Sequence, residues 1–205
     1  MLKSIDIYKG FYIGRYETGD AMSHENYYYE TYFKSPKIVR YNRNIDHVSW
    51  YDTYIDLEKL SGKTEKYVET GMIFDCLWGY TLKWLNDTDT KTYEEISKNS
   101  GIWGNYENLL KYKESADGEE KTREAGMHIK MPTGGITEIT HNGGIYNNYP
   151  TLTNNIFDLS GNVVEHTRGV YNDYSRCSRG GVSGNPYAST LWYRRTLWCS
   201  IYLWG

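Results

Sequence analysis

Cysteine is scarce in this chain of 205 residues, and its three cysteines, Cys76, Cys177 and Cys199, form no CxxC pair. An odd number of widely spaced cysteines argues against a disulfide framework and against a zinc ribbon. No apolar run approaches the roughly 20 residues that a membrane-spanning helix needs. The opening MLKSIDIYKG also lacks the apolar stretch of a secretory signal. We therefore expect no membrane span and no signal peptide in this chain.

An excess of one charge is also missing. The chain has 23 basic and 26 acidic residues, a net charge of -3 and a pI near 6.0. Such a chain lacks the basic surface that neutralises phosphates, so we expect no nucleic-acid partner. Phosphate-loop, dinucleotide and nucleophile-elbow motifs are absent, and the five histidines have no metal-binding spacing. The sequence thus offers no local motif for catalysis.

Tyrosine is the residue that the chain has in excess, with 22 tyrosines and 7 tryptophans against 4 phenylalanines. A buried core favours phenylalanine, because each buried tyrosine hydroxyl needs a hydrogen-bond partner. One interpretation is a β-rich domain with hydrated aromatic edges. The other is a recognition surface, since tyrosine and tryptophan provide large contact areas at low entropic cost.

The first half of the chain contains the helical patterns. Residues 47–60 predict a helix with Ser49 as its N-cap, and residues 6–18 predict a short hairpin around two glycines. Residues 23–33 fit either a helix or a strand. Residues 70–85 predict a second helix, which Gly79 weakens by about 1 kcal/mol relative to alanine. The apolar face expected for this region contains Met72, Cys76, Leu77, Tyr80, Trp84 and Leu85.

Strands and loops dominate the rest. Residues 86–155 lack long periodic segments and predict short strands with functional loops, and Asp117-Gly118 and Asn142-Gly143 are turn dipeptides. The last fifty residues read as β-segments separated by glycine turns. Helices early and strands late predict an α+β fold with an antiparallel sheet, in a single domain over residues 1–205.

Two glycine-containing motifs near the C-terminus are candidates for a site. In Ser160-Gly161-Asn162, followed by Glu165, side-chain oxygens could converge on Ca²⁺, and an Asx turn without an ion explains the same spacing equally well. Paired glycines in RGGVSG at 179–184 let the backbone turn sharply or approach another strand closely.

These motifs carry a family resemblance. NIFDLSGNVVEHT at 155–167 resembles the N-x-Y-D-M-x-G-N-V-W-E-W-T signature of the formylglycine-generating-enzyme (sulfatase-modifying factor) family. FYIGRYET at 11–18, HVSWYDTY at 47–54 and RGGVSG at 179–184 resemble further motifs of that family, in the same order. The resemblance implies a C-type-lectin-like fold, with two helices, an antiparallel sheet and long irregular loops.

The departures from the family pattern favour a non-catalytic protein. The family's enzymes bind copper through two cysteines shortly after RGG. The corresponding positions in this chain fall at about Asn185 and Thr190, and neither is a cysteine. Val164 and His166 stand where the signature has tryptophan. The chain is most similar to the family's non-enzymatic branch, the variable proteins of diversity-generating retroelements in phages and bacteria. A divergent enzyme that oxidises protein cysteine is the alternative.

The resemblance also implies which residues form the sites. Residues 179–205 are the candidate variable segment, with a protein or glycan on a cell surface as the expected ligand. A phage virion or a cell surface is the expected location, with the cytoplasm as the alternative, and an oligomer is compatible with this function. Asn162, Val163 and Glu165 are the implied ligands of a structural Ca²⁺, and no catalytic cofactor is expected. The candidate ligand-binding residues are Asn185, Tyr187, Ser189, Trp192, Tyr193, Thr196, Trp198, Ser200, Tyr202 and Trp204.

Overall fold

The computed structural model of the chain describes residues 7, 9–20, 36–38, 40–41, 43–44, 50–61, 70–97, 101–106, 108–127, 129–172 and 175–181. Within these residues the fold is a mixture of helices and antiparallel sheets, as the sequence predicts. No helix in the described part of the chain is long and apolar enough to cross a membrane. The ambiguous segment 23–33 lies outside the described residues, as do all ten candidate ligand-binding residues.

Two long helices confirm the helical predictions. Helix α1 spans Trp50–Ser61 and helix α2 spans Asp75–Asp87. A short third helix, α3, spans Tyr93–Ser97 and was not predicted. It begins with a capping box, in which Glu95 accepts a hydrogen bond from the Thr92 backbone N–H and the Thr92 hydroxyl accepts one from the Glu95 N–H.

The buried face of α2 differs from the predicted one. Tyr80 and Trp84 were assigned to the core, and they remain 46% and 44% exposed. The buried residues instead repeat at helical spacing around Trp78, and one of them is Thr81, whose hydroxyl is satisfied by the Leu77 carbonyl oxygen. A threonine that bonds within its own helix can lie in the core, which shifts the buried face away from the purely apolar pattern. The full set is Leu77, Trp78, Thr81, Leu82 and Leu85.

A four-stranded antiparallel sheet forms the middle of the chain, as the composition of 86–155 predicts. Its strands are β4 (Leu109–Tyr112), β5 (Lys121–Arg123), β6 (Ile136–His141) and β7 (Gly144–Asn147), in the order β5-β4-β6-β7. The predicted turn Asn142-Gly143 joins β6 to β7, with φ of 50° and 80°. Positive φ at both positions is the two-residue hairpin geometry that this dipeptide favours. The other predicted turn also forms, with the Gly118 N–H donating to the Ser115 carbonyl oxygen.

The remaining strands are short, apart from one hairpin. Three two-residue strands, β1 (Gly19–Asp20), β2 (Pro36–Lys37) and β3 (Arg43–Asn44), pair in the order β2-β1-β3. Strands β8 (Leu152–Thr153) and β9 (Ile156–Phe157) pair with each other. The long hairpin consists of β10 (Glu165–Asn172) and β11 (Ser175–Arg179), and β10 packs against α2.

The hairpin predicted over residues 6–18 is wrong for its described part. Residues 9–18 form no strand, with a bend at Arg15 and Tyr16. Their aromatic residues pack on distant strands instead: Tyr16 stacks on Phe157 with ring centroids 5.3 Å apart, and the Phe157 N–H donates to the Arg15 carbonyl oxygen. Aromatic content therefore indicated contact with a sheet, but the contact is long-range and not within a local hairpin.

Two buried apolar clusters hold these elements together. The larger joins α2, α3 and the strand β9 around Trp78 and Trp103. The smaller lies on the inner face of the four-stranded sheet around Leu110 and Ile139.

Candidate functional site

Asn162, from the GNVVE motif, is the centre of a buried polar network. Its Oδ1 accepts hydrogen bonds from the Asn105 side chain and the Met131 backbone N–H, both at 2.7 Å. Its Nδ2 donates to the Met131 carbonyl oxygen at 3.0 Å and to Glu17 Oε2 at 2.8 Å. A buried amide with all four bonds made is a rigid connector, because breaking any of them leaves a buried group unsatisfied.

The network continues through a buried guanidinium. Arg123, on β5, is 3% exposed. It donates to Asn105 Oδ1 at 2.7 Å and to three backbone carbonyl oxygens, those of Tyr106, Asn108 and Ile129. Burial lowers the pKa of Arg123 to about 10, so the group keeps its charge at neutral pH. Carbonyl dipoles thus solvate this cation and join β5 to the backbone at Tyr106 and Asn108 and to the backbone at Ile129.

Glu165 fills a space that only glycine leaves open. Gly180, the first glycine of the RGG motif, has a φ of 81°, and a Cβ at this position would collide with the Glu165 carboxyl group. The Glu165 carboxyl shares a hydrogen bond with the Glu17 side chain, and no donor in the described residues reaches Glu165 Oε2. Burial, with the nearby charge of Glu17, raises the pKa of Glu165 well above its usual range.

Arg179 connects the same motif to helix α2. Its Nε donates to Asp75 Oδ1 at 2.8 Å and its Nη2 to Asp75 Oδ2 at 2.6 Å. The Thr167 hydroxyl, on the neighbouring strand β10, also donates to Asp75 Oδ1 at 3.2 Å. A two-point arginine–carboxylate pair fixes orientation as well as distance. The end of β11 is therefore held to the first residue of α2.

Backbone bonds complete this attachment. The Gly161 N–H donates to the Gly180 carbonyl oxygen at 2.7 Å, and the Asn162 N–H donates to the Asn105 carbonyl oxygen at 3.1 Å. The GNVVE and RGG motifs are thus adjacent in space. We call this assembly of Asp75, Asn162, Glu165, Arg179 and Gly180 the root of the C-terminal segment, because it holds the first two residues of the segment 179–205 and residues 182–205 follow it.

Helix α1 also contacts the β10–β11 hairpin. Trp50 Nε1 donates to the Thr167 carbonyl oxygen at 2.6 Å, and its ring stacks on Tyr54. The guanidinium of Arg176 lies 4.8 Å from the centroid of the Trp50 ring, and that of Arg168 lies 4.7 Å from the Tyr54 ring. Arginine over an aromatic face is stabilising, more so when water is excluded. The β10–β11 hairpin is therefore held by side chains of both α1 and α2.

A second arginine-aromatic cluster lies beside the network. Arg40 is 4.3 Å from the Tyr149 ring centroid and donates through Nε to the Gly134 carbonyl oxygen at 3.0 Å. The buried Asp158 accepts a hydrogen bond from the Gly134 N–H at 2.6 Å and one from the Thr133 hydroxyl at 3.0 Å. Burial raises the pKa of Asp158 despite these bonds and the charge of Arg40. These contacts fix the loop that carries Asn162.

The predicted calcium ligands differ in how well they fit an ion. The Asn162 side-chain oxygen already accepts two hydrogen bonds, which leaves it no lone pair for a cation. The Glu165 carboxyl is buried and has one oxygen without a donor, as a ligand would. Among the described residues, no group of three or more His, Cys, Asp or Glu side chains is arranged to hold a metal. Calcium therefore remains a prediction, with Glu165 and the backbone near Val163 as its ligands.

Within the described residues, neither Cys76 nor Cys177 forms a disulfide, and both are partly buried. Burial and the nearby Asp75 carboxylate raise the pKa of the Cys177 thiol. A raised pKa lowers the thiolate fraction at neutral pH, and the thiolate is the form that binds metals and acts as a nucleophile. Cys199, like Asn185 and Thr190, lies outside the described residues.

Sequence reasoning found two of the motifs at the root and missed their partners. Asn162, Glu165 and Gly180 were singled out, and the structure brings them together. Asp75, Glu17, Asn105 and Arg123 were not. A lone acidic residue at the start of a helix and a lone arginine in a three-residue strand leave no pattern in the sequence, because their importance comes from contacts with distant residues.

Comparison of the chain with family models, with curated proteins and with solved structures gives no match.

Proposed function

We propose that the chain is a non-catalytic ligand-binding protein that displays its C-terminal segment, residues 179–205, on a C-type-lectin-like scaffold. By its resemblance it would be a diversity-generating-retroelement variable protein of a phage or prophage, with a receptor-binding role. The expected ligand is a protein or glycan on a cell surface. The aromatic and small polar residues from Asn185 to Trp204 would form the contact surface.

The observation that carries this proposal is the rigid root of the C-terminal segment. Arg179 and Gly180 are held by Asp75, by Gly161 and by the packing of Glu165. A variable binding surface needs an origin that does not move when the surface residues change, because pre-organisation reduces the entropy lost on binding. The root relies on residues outside 182–205, so substitutions in 182–205 leave these contacts intact.

Genomic context provides the most direct test. We expect a reverse-transcriptase gene close to the coding sequence, together with a near-copy of the bases that encode the last residues. Differences between the two copies should fall at adenines of the template and at codons within 182–205. A locus without either feature would leave a fixed ligand-binding or structural domain, and the diversification part of the proposal would then be wrong.

Binding can be tested independently of the genome. The purified, fluorescently labelled chain would be incubated with intact cells of the source bacterium or of the phage host. We expect saturable binding that is reduced in a Trp192→Ser, Trp198→Ser double variant and retained in a Tyr51→Ser, Tyr93→Ser control. Tyr51 and Tyr93 are 65% and 71% exposed and lie on helices α1 and α3. Equal loss in both variants would indicate nonspecific aromatic adhesion and would contradict the proposal.

The enzymatic alternative has its own assay. A divergent formylglycine-generating enzyme would consume oxygen and convert a peptide cysteine to formylglycine in the presence of copper. We expect no conversion, because the positions that correspond to the family's two cysteines fall at about Asn185 and Thr190, which are not cysteines. Conversion that depends on Cys177 or Cys199 would overturn the non-catalytic proposal.

A further inference from the structure

The two edges of the four-stranded sheet differ in how they are protected. Strand β5 at one edge is three residues long and carries Lys121 and the buried Arg123. Strand β7 at the other edge, Gly144–Asn147, contains no charged residue and no proline. Proteins normally protect exposed edges with such residues, because an open edge pairs readily with another strand. The β5 edge is protected in this way and the β7 edge is not.

The outward-facing groups of β7 follow from its register with β6. His141 pairs with Gly144 across the two-residue turn, Ile139 with Tyr146, and Thr140 with Ile145. Residues that flank a two-residue turn form a hydrogen-bonded pair, and such pairs alternate along the ladder. Gly144 and Tyr146 therefore bond to β6, while the N–H and C=O groups of Ile145 and Asn147 point outward. Within the described part of the chain nothing pairs with them.

The side chains of β7 are also open to contact. Ile145 is 66% exposed on the outer face of the sheet, and Tyr146 is 36% exposed on the face that it shares with Ile139. The Tyr146 ring folds back over Gly144, whose missing side chain makes room for it. An apolar residue at an unprotected edge costs free energy in water, and a second strand would cover it.

We propose that β7 pairs with β7 of a second copy of this chain, antiparallel about a two-fold axis at Tyr146, to give a continuous eight-stranded sheet. In this register Ile145 of each copy lies opposite Asn147 of the other copy. Their outward N–H and C=O groups then form four hydrogen bonds between the two copies. Tyr146 lies opposite its own copy, and cross-strand aromatic pairs are stabilising. The arrangement is isologous, which is the commonest symmetry of soluble oligomers.

The register and the charges of the sheet both allow a second copy to occupy this edge. The nearest charged residue on the outer face is Glu138, which lies opposite Asn147 and is paired with Lys111 at 3.0 Å. In the proposed register, Glu138 lies in line across the sheet with Asn147 of its own copy and with Ile145 and Thr140 of the other copy. None of these three residues is charged, so no like charges oppose each other. The proposal concerns the described sheet alone and does not depend on the proposed function of residues 182–205.

The mass of the full chain in solution tests the dimer. Light scattering after gel filtration should give twice 24.0 kDa at high protein concentration. Ile145→Lys adds a charge beside the two-fold axis and should raise the concentration needed for dimerisation by on the order of tenfold or more. Thr122→Lys, an exposed position on the protected β5 edge, is the matched control and should change nothing. A natural chain that stays monomeric, or a dimer that Ile145→Lys leaves intact, would overturn the proposal.

Cross-linking tests the register and still applies if Ile145→Lys does not fold. In a non-hydrogen-bonded antiparallel pair the two Cα atoms are about 4.5 Å apart, close enough for a disulfide. Tyr146→Cys should therefore form a disulfide dimer on mild oxidation. Ile145→Cys meets its own copy only on the diagonal, about 7–8 Å away, and should cross-link far less. Equal cross-linking of the two variants, or of neither, would show that the strands do not pair in this way.

Discussion

At the scale of single residues, the buried polar groups link segments that are distant in the sequence. Asn162 makes four hydrogen bonds, and Arg123 replaces its water shell with three carbonyl oxygens from two segments of the chain. Glu165 is different, because no donor among the described residues reaches one of its carboxyl oxygens. Burial raises the pKa of this carboxyl, and this makes the stability of the protein depend on pH.

Glu165 gives the first prediction. Its pKa is raised in the folded chain, so between about pH 4.5, its ordinary value, and its native pKa the folded state holds a proton that the unfolded state has lost. Stability should therefore fall as pH rises through this window, by at most about 1.4 kcal/mol per pH unit. Glu165→Gln should remove this slope and stabilise the protein at pH 8, as measured by urea unfolding at several pH values. An unchanged slope, or the same effect in an exposed Glu119→Gln control, would contradict it.

Calcium gives the second prediction at this scale. Ligation requires ionised Glu165, so binding would release a proton and be stronger at pH 8 than at pH 5. Excess Ca²⁺ at about 100 times its Kd would stabilise the fold by about 2.7 kcal/mol, which corresponds to a rise in Tm of about 5–11 °C for a chain of this size. Thermal unfolding with Ca²⁺ and with EDTA measures this, and Glu165→Ala should abolish the difference. Equal Tm values in Ca²⁺ and EDTA would rule the site out.

At the scale of elements, short strands depend on side-chain anchors. Strand β5 is only three residues long, and its register with β4 sets Arg123 opposite Leu110. Its buried guanidinium then reaches the loop at 105–108 and the segment that precedes Met131. The hairpin β10–β11 is held in a similar way, by Arg179 to α2 and by Arg176 to α1. These side-chain anchors link each element to parts of the chain with which it shares no strand pairing.

Replacement of Arg123 provides the third prediction. Arg123→Met keeps much of the volume but removes the donor to Asn105 Oδ1 and to the carbonyl oxygens of Tyr106 and Asn108. The Ile129 carbonyl oxygen still accepts a hydrogen bond from Asn105 Nδ2. Each unsatisfied buried group costs about 1–3 kcal/mol, and relaxation recovers part of it, so we expect a loss of about 3–5 kcal/mol. Lys121→Met, on the same strand and exposed, should cost less than about 0.5 kcal/mol. Chemical unfolding of both variants measures the difference, and similar values for the two would contradict the role of Arg123.

At the scale of the whole molecule, an early segment of the chain contacts the strands and loops near residue 160. The segment around Tyr16 contacts Phe157, and Glu17 reaches Asn162, so the beginning of the chain stabilises the root of its C-terminal segment. Residues 182–205 contain a dense group of aromatic residues immediately after this root. If they form a binding surface, the fold should not depend on their individual side chains.

The fourth prediction separates a surface from a core. Trp192→Ala and Trp198→Ala should each lower the Tm by less than about 2 °C, because an exposed side chain contributes little to folding, and they should weaken ligand binding by roughly 2 kcal/mol or more. Trp103→Ala is the matched control, since Trp103 is 1% exposed and its loss should cost about 3–5 kcal/mol. Losses of that size for Trp192 and Trp198 would place them in the core and reject the binding surface.

The sequence by itself predicted the elements that local physics determines. Helical spacing identified α1 and α2, and composition indicated the short strands of 86–155. Asn142-Gly143 specified its turn, because this dipeptide tolerates positive φ at both positions. The GNVVE and RGG motifs identified Asn162, Glu165 and Gly180 as candidates, although not as neighbours. In each case the signal lies within a few residues of the feature that it predicts.

Only the tertiary structure decided which residues meet. It placed Tyr16 against Phe157 and not in a local hairpin, and it turned the buried face of α2 so that Tyr80 and Trp84 are exposed. It also gave Asp75 and Arg123 their partners, 104 and 18 residues away along the chain. Such contacts depend on how the elements pack. The strength of each interaction depends on the burial of both partners. That burial is a property of the assembled molecule, and no local pattern encodes it.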